Sequence, residues 1–359
     1  MRQERFYEID LLRFIAAALV VLFHYTFRGY AADAMTVVPY PGLGKIFRYG
    51  YLGVDLFFMI SGFVIMLSAR HGNARKFLIS RITRLYPAYW FGVTLTALVT
   101  LIWGGARYHV GFFQYLANLT MAHSLLGLPV EDVDGAYWSL AVELKFYLLI
   151  FMILIFRLID KFKYFLVAWL LITVLLLSYN HFPMANFWLF PQWSAYFIAG
   201  AVLSYIREEG LNIRKGMLLI ACYLVALQQA ETRAAVYSVH YHALLDPLWI
   251  ALIISSLFLL LLAVSCGWLR LKGSLLIVQL GAMTYPLYLM HQNIGFMLMN
   301  HLYRHLEKHL LLLLAIILML ALAYAVHHWI ERPYAAKLKT YLRRILLLDK
   351  SWLSSRQET

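Results

Sequence analysis

Charged side chains are scarce in this sequence: Asp, Glu, Lys and Arg together make up 14% of its 359 residues. Cysteine is scarcer still, with only Cys222 and Cys266. Both sit inside apolar runs, so neither a disulfide framework nor a zinc site is expected, and no metal ligands are assigned. No internal repeat, low-complexity tract or Gly/Ser linker interrupts the chain. No stretch of roughly 100 residues is free of long apolar runs, which excludes a separate soluble domain. What fills the chain is apolar: 63% of residues are hydrophobic. Many runs approach the ~20 residues that a spanning helix needs. The expected fold is all-α, a polytopic membrane helix bundle of about ten transmembrane helices.

The runs are read at roughly 11–28, 51–69, 85–105, 136–156, 164–180, 192–206, 216–230, 247–266, 274–299 and 310–330. With the N-terminus in the cytoplasm, 22 of the 31 Lys and Arg fall in the N-terminal segment, the inner loops and the tail. Seven fall in outer loops (Arg28, Lys45, Arg48, Arg107, Arg233, Arg304 and Lys308), while Arg13 and Lys145 lie inside runs. The positive-inside rule therefore expects both termini in the cytoplasm. The net charge of +13 is mostly this topology signal. Dispersed over inner loops, it is no nucleic-acid footprint. Residues 1–335 are expected to form the membrane domain and 336–359 a basic tail. Lys337–Lys350 in that tail reads as an amphipathic helix on anionic lipid. Arg13 and His24 interrupt the first apolar run, which argues against a cleaved signal peptide.

Those two residues are eleven apart, which on a helix is about 20° beyond three full turns, so both side chains share one face. They lie roughly 16 Å apart along the axis, and Asp10 falls on the same stripe. An ionisable group inside a membrane span is costly and reads first as functional. Counting rise per residue, His24 and Glu143 fall roughly 18–20 Å above the cytoplasmic edge. Asp55 and His291 also fall in the outer half. Arg13, Arg81 and Arg84 belong to the inner side, and Arg81 and Arg84, three apart, point the same way on a helical turn. An inner layer of cations thus underlies an outer layer of acid/base groups. Arg suits phosphate, because its planar fork bonds two oxygens at once. A carboxylate that accepts one imidazole N–H raises the basicity of the other ring nitrogen. A hydroxyl activated in this way attacks a thioester without a metal.

The stretches IDLLRFIAAALVVLFH (Ile9–His24), GVDLFFMISGFVI (Gly53–Ile65), RITRLYPAYW (Arg81–Trp90), YWSLAVELKFYLL (Tyr137–Leu149), TYPLYLMH (Thr284–His291) and WIERP (Trp329–Pro333) carry a resemblance. In this order they resemble the acyltransferase-3 family of bacterial membrane O-acyltransferases, which modify lipopolysaccharide, peptidoglycan, other surface glycans and Nod factors. The resemblance implies an acyl-CoA donor on the cytoplasmic side and a carbohydrate acceptor on the other. It implies that Arg13 and His24, the family's Arg-x10-His pair, are needed for activity. Arg81 and Arg84 match its Arg-x-x-Arg motif, and Asp55 and Glu143 match acidic positions. The usual WSLxxExxFY carries Ala141 and Lys145 here, which puts a second charge near Glu143. Many members continue into an extracytoplasmic esterase-like domain. None is expected here, so either the core acts alone or a separate partner completes transfer.

The expected function is transfer of an acyl group, acetyl being favoured, from acyl-CoA (acetyl-CoA) to a hydroxyl of an extracytoplasmic or lipid-linked glycan. His24 is the expected base, supported by Asp55 or Glu143, with Arg13, Arg81 and Arg84 handling the donor. His291 and Ser61 are acceptor-side candidates. Ser61 also reads as a nucleophile for two-step transfer, against a small-residue packing contact with Gly62. Glu331 with His327 and His328 reads as a structural anchor. No resident cofactor is expected. Expected partners are acyl-CoA, the glycan acceptor, membrane lipids and a separate extracytoplasmic partner or second copy; the expected location is the bacterial inner membrane. The rival reading is a transporter or flippase using the same charges.

Overall fold

In lipid, an apolar run must satisfy its own backbone, and the helix does so within the segment. The structure, a computed structural model, describes residues 5–347 apart from 33, 71, 72 and 180. Residues 348–359 of the expected basic tail lie outside the described residues. Every apolar run read from the sequence lies on a helix, and no strand occurs among the described residues. The long helices are α1 (Tyr7–Phe23), α2 (Gly53–Ala69), α3 (Ala74–Trp103), α4 (Trp138–Ile155), α5 (Phe162–Ser178) and α6 (Pro191–Glu209). They continue with α7 (Ile213–His240), α8 (Pro247–Cys266), α9 (Leu275–Met290), α10 (Gln292–Leu302), α11 (Lys308–Val326) and α12 (Arg332–Leu347). Seven helical stretches are long and apolar enough to cross a membrane. The remaining three runs lie on α6, on α7 and on α9 with α10. The fold is an all-α, multi-pass membrane bundle.

Local chemistry sets several boundaries. The Asn73 side chain accepts from the Lys76 N–H at the start of α3, and Asp246 does the same for Leu248 at the start of α8. Both satisfy a donor that the first helical turn leaves over. The tightest helix pair is α2 with α6. A Cβ on Gly62 would stand 2.2 Å from the Phe197 carbonyl oxygen, and one on Gly200 would stand 2.0 Å from that of Met59. Only glycine permits this approach, which is how helices associate where lipid removes the hydrophobic drive. α1 packs between α2 and α9, and α9 in turn contacts α3 and α11. The inward faces of α1, α2 and α9 therefore meet at the centre.

Two helices depart from straight α geometry. α1 continues through a π turn, His24–Arg28, in which the Gly29 N–H donates to the His24 carbonyl. Such turns re-aim side chains and are frequent at functional sites. A second π turn, His327–Glu331, links α11 to α12. Within it His327 Nδ1 and Glu331 Oε2 are 2.7 Å apart. The tail pattern is helical as far as Leu347.

One boundary differs from its sequence reading with consequences for the site. The sequence bounds the seventh run near 230, which puts Arg233 in an outer loop. Instead α7 continues to His240 and draws Arg233 into the bundle, where it is 9% exposed. The segment AETRAAVYSVH (Ala230–His240) contains neither Gly nor Pro, so nothing stops the helix.

Candidate active site

The polar residues of the bundle line two adjoining cavities that share Val54 and Tyr288 as a common wall. The first is lined by Arg13, Ser61, Arg81, Arg84, Glu143 and Tyr147 among others, with a volume of about 70 Å³. Glu143 Oε1 accepts two hydrogen bonds there, from Ser61 Oγ at 2.5 Å and from Tyr147 OH at 2.6 Å. The Arg81 guanidinium stands 5.6 Å from the centre of the Tyr147 ring. Arg13 and Arg84 also line a further cavity with Arg5, Asp10, Tyr285 and Glu331. The three residues whose cations read as an inner layer, Arg13, Arg81 and Arg84, thus line one cavity with the Glu143 carboxylate and its two hydroxyl donors.

The second cavity, about 310 Å³, is lined by His24, Arg28, Tyr51, Asp55 and Arg233, with Trp138 and Trp193 among its aromatic walls. His24 Nδ1 lies 2.8 Å from the Val20 carbonyl oxygen and 3.0 Å from His291 Nε2. His291 Nδ1 lies 2.8 Å from the Tyr288 carbonyl oxygen. A carbonyl can only accept, so His291 carries its proton on Nδ1 and its Nε2 is an acceptor. His24 Nδ1–H then donates to both Val20 and His291, and the lone pair of His24 sits on Nε2. That is the tautomer a general base needs.

His291 is itself held from three sides. It is the single residue between α9 and α10, and its carbonyl accepts from Tyr25 OH at 2.6 Å. Asp134 Oδ2 accepts from the Asn293 N–H at 2.8 Å, and Asn293 Nδ2 donates to the Val133 carbonyl at 3.0 Å. Asp134 Oδ1 takes the Ala136 N–H at 2.9 Å. Complete burial pushes the Asp134 carboxyl up to about 6, against the pull of these two N–H donors.

The arrangement differs from the layers inferred by counting residues. Neither Asp55 nor Glu143 hydrogen-bonds His24. Asp55 Oδ2 instead accepts from Arg233 Nη2 at 2.6 Å, because the longer α7 delivers a buried cation to it. Glu143 belongs with Arg13 rather than with His24. Its partner Ser61 is six residues beyond Asp55 on α2, roughly 9 Å further along the helix axis. Ser61 donates to Glu143, while its neighbour Gly62 makes the close crossing with α6. Lys145 does not pair with Glu143; its Nζ stands 3.4 Å from the centre of the Phe187 ring. Arg13 and His24 line the first and second cavities respectively rather than one shared cavity.

Arg233 and Arg28 are the site residues that sequence reasoning missed, both placed in loops. For Arg233 the signal is the lack of Gly or Pro between Ala230 and His240, whereas Gly29 directly after Arg28 reads as a helix stop. No group of three or more His, Cys, Asp or Glu able to hold a metal ion occurs among the described residues.

The sequence matches the acyltransferase domain family over residues 6–328. It is 29% identical to ORF330 of Acidianus two-tailed virus over 54% of this chain and 63% of that protein. It is 32% identical to Nodulation protein 10 of Rhizobium leguminosarum bv. viciae over 28% of this chain and 32% of that protein. It is 31% identical to the O-acetyltransferase OatA of Staphylococcus aureus over 32% of this chain and 21% of that protein. The chain thus spans less than two thirds of the length of each of these relatives. No solved structure matches it significantly.

Proposed function

The chain belongs to the acyltransferase domain family, and on that premise we propose that it moves an acyl group, acetyl in the first instance, from acyl-CoA to a glycan hydroxyl. The acceptor is extracytoplasmic or lipid-linked, and the setting is a bacterial inner membrane crossed about ten times with both termini inside. The observation that carries this reading is the junction of two chemically unlike cavities at Val54 and Tyr288. The first offers three guanidinium groups, Arg13, Arg81 and Arg84, for a phosphate-bearing donor; the second adds an imidazole with a free lone pair beside Arg28 and Arg233. The likeness to an O-acetyltransferase from Staphylococcus aureus supports the acetyl group.

In this mechanism Arg81 and Arg84 hold donor phosphate oxygens, and Arg13 orients the donor arm or stabilises the thioester oxygen as it gains charge. The acceptor hydroxyl meets His24 Nε2. As its oxygen attacks the thioester carbonyl carbon, His24 takes the proton. The C–O bond forms, the C–S bond breaks, and the CoA sulfur leaves with the proton returned by His24. The Val20 carbonyl and His291 keep the imidazole in the required tautomer throughout. Acyl transfer of this kind uses no resident cofactor.

Membranes containing the protein are incubated with labelled acetyl-CoA and total envelope glycan. Wild type is expected to transfer base-labile label to glycan, and His24→Ala at equal expression to lose about 10²–10⁴-fold in rate. No transfer by either protein, or equal transfer by both, overturns the reading.

A further inference from the structure

The cavity that His24 lines holds more polar chemistry than a base requires. Asp55 and Arg233 are buried to 1% and 9% exposure and bridged by one hydrogen bond of 2.6 Å, Nη2 to Oδ2. The remaining atoms of the pair, Asp55 Oδ1 and Arg233 Nη1, have no partner in hydrogen-bonding geometry among the described residues. The same is true of the Tyr51 hydroxyl, on a residue 8% exposed. All three residues line the cavity that His24 lines. A buried polar atom without a partner costs free energy that a native fold rarely leaves uncompensated. Three on one wall, one an acceptor, one a cationic donor and one a hydroxyl, mark a ligand with alternating donors and acceptors.

The surroundings narrow the ligand further. The Arg233 guanidinium stands 4.0 Å from the centre of the Trp193 ring, and the Trp138 and Trp193 rings are 5.0 Å apart. Aromatic walls beside a few fixed polar groups suit a molecule with apolar C–H faces and hydroxyl edges. Trp193 also borders a larger cavity in which Gln192, Gln228, Gln229 and Thr232 stand among mainly apolar side chains. Resting on the acyl-transfer reading above, we propose that Tyr51, Asp55 and Arg233 form an acceptor subsite that grips neighbouring hydroxyls of a sugar ring and presents the adjacent one to His24. The Asp55 carboxylate accepts from one hydroxyl, Arg233 donates to its neighbour, and Tyr51 adds a third bond. Asp55 is therefore an acceptor-holding residue rather than the orienter of the base.

The test is a split of Michaelis constants, measured on the full chain in lipid nanodiscs with labelled acetyl-CoA and titrated envelope glycan. Tyr51→Phe removes only a hydroxyl without a protein partner and keeps the ring that packs on Phe23 and Tyr237. It is expected to fold as wild type and to raise the glycan KM about tenfold, with the acetyl-CoA KM unchanged. Asp55→Asn and Arg233→Lys are expected to raise the glycan KM further in the same one-sided way. A wild-type glycan KM for Tyr51→Phe overturns the subsite while leaving acyl transfer intact. If wild type itself labels no glycan, the acyl-transfer reading falls and the subsite falls with it.

Discussion

His291 Nε2 accepts from His24 Nδ1–H across 3.0 Å, although the two residues are 267 apart in sequence. The bond joins α1 to the junction of α9 and α10. It leaves His24 with one donor nitrogen facing protein and one acceptor nitrogen available to the cavity. A carbonyl alone could hold the first nitrogen, and Val20 supplies one at 2.8 Å. His291 adds a second anchor from a different helix, which restrains the ring plane as well as the tautomer.

His291→Ala is therefore expected to lower turnover on the order of 10²-fold by letting the base drift, with little change in the acetyl-CoA KM. His291→Gln places an amide oxygen near His24 Nδ1 and is expected to recover part of the loss. The check is steady-state transfer by both variants. Equal activity of His291→Ala and wild type would show that Val20 alone suffices.

Ser61 donates its proton to Glu143 at 2.5 Å and so is engaged by a group that also takes the Tyr147 hydroxyl. This geometry makes Ser61 and Tyr147 the fixed donors of a carboxylate that stands among Arg13, Arg81 and Arg84. Ser61→Ala is expected to retain activity within about tenfold, since one of two donors remains. Glu143→Ala leaves both hydroxyls without their acceptor and is expected to destabilise the protein by about 1–3 kcal/mol. Thermal melting in detergent reads the second effect, steady-state transfer reads the first, and acid-quench trapping with labelled acetyl-CoA reads any covalent intermediate. A labelled acyl group retained covalently by wild type and lost in Ser61→Ala would restore Ser61 as a nucleophile.

Helical periodicity was enough to set Arg13 and His24 on one inward face, because both lie on one helix and their angle follows from spacing. The acidic residues were harder. Asp55 and Glu143 take partners 178 and 82 residues away, so residue counting along single spans could not pair them. Arg233 escaped because a charge next to Glu231 and Thr232 reads as a loop until a buried carboxylate on another helix explains it. The π turn at His24–Arg28 has no spacing signature of its own. The residues that carry chemistry were thus legible by type and face, while their pairing depended on tertiary contacts.

Asp134 gives the site a pH dependence of its own. Its carboxyl is fully buried beneath the α9–α10 junction and is pushed up to about 6 from an ordinary 3.8, burial outweighing the two backbone N–H donors. A carboxyl raised in the folded state stabilises the fold most below its unfolded value. That contribution shrinks as pH rises from about 4 and is gone above about 6. The shift corresponds to a change on the order of 3 kcal/mol across this window. Melting temperatures of the nanodisc-embedded protein, measured from pH 4 to 7, should therefore fall through the window in wild type. Asp134→Asn has no proton to lose there and should flatten this part of the profile. It should also loosen the Asn293 contact behind His291, so transfer activity should fall at every pH. Parallel melting profiles for the two proteins would mean that Asp134 is ionised throughout and that the Ala136 and Asn293 N–H groups outweigh its burial.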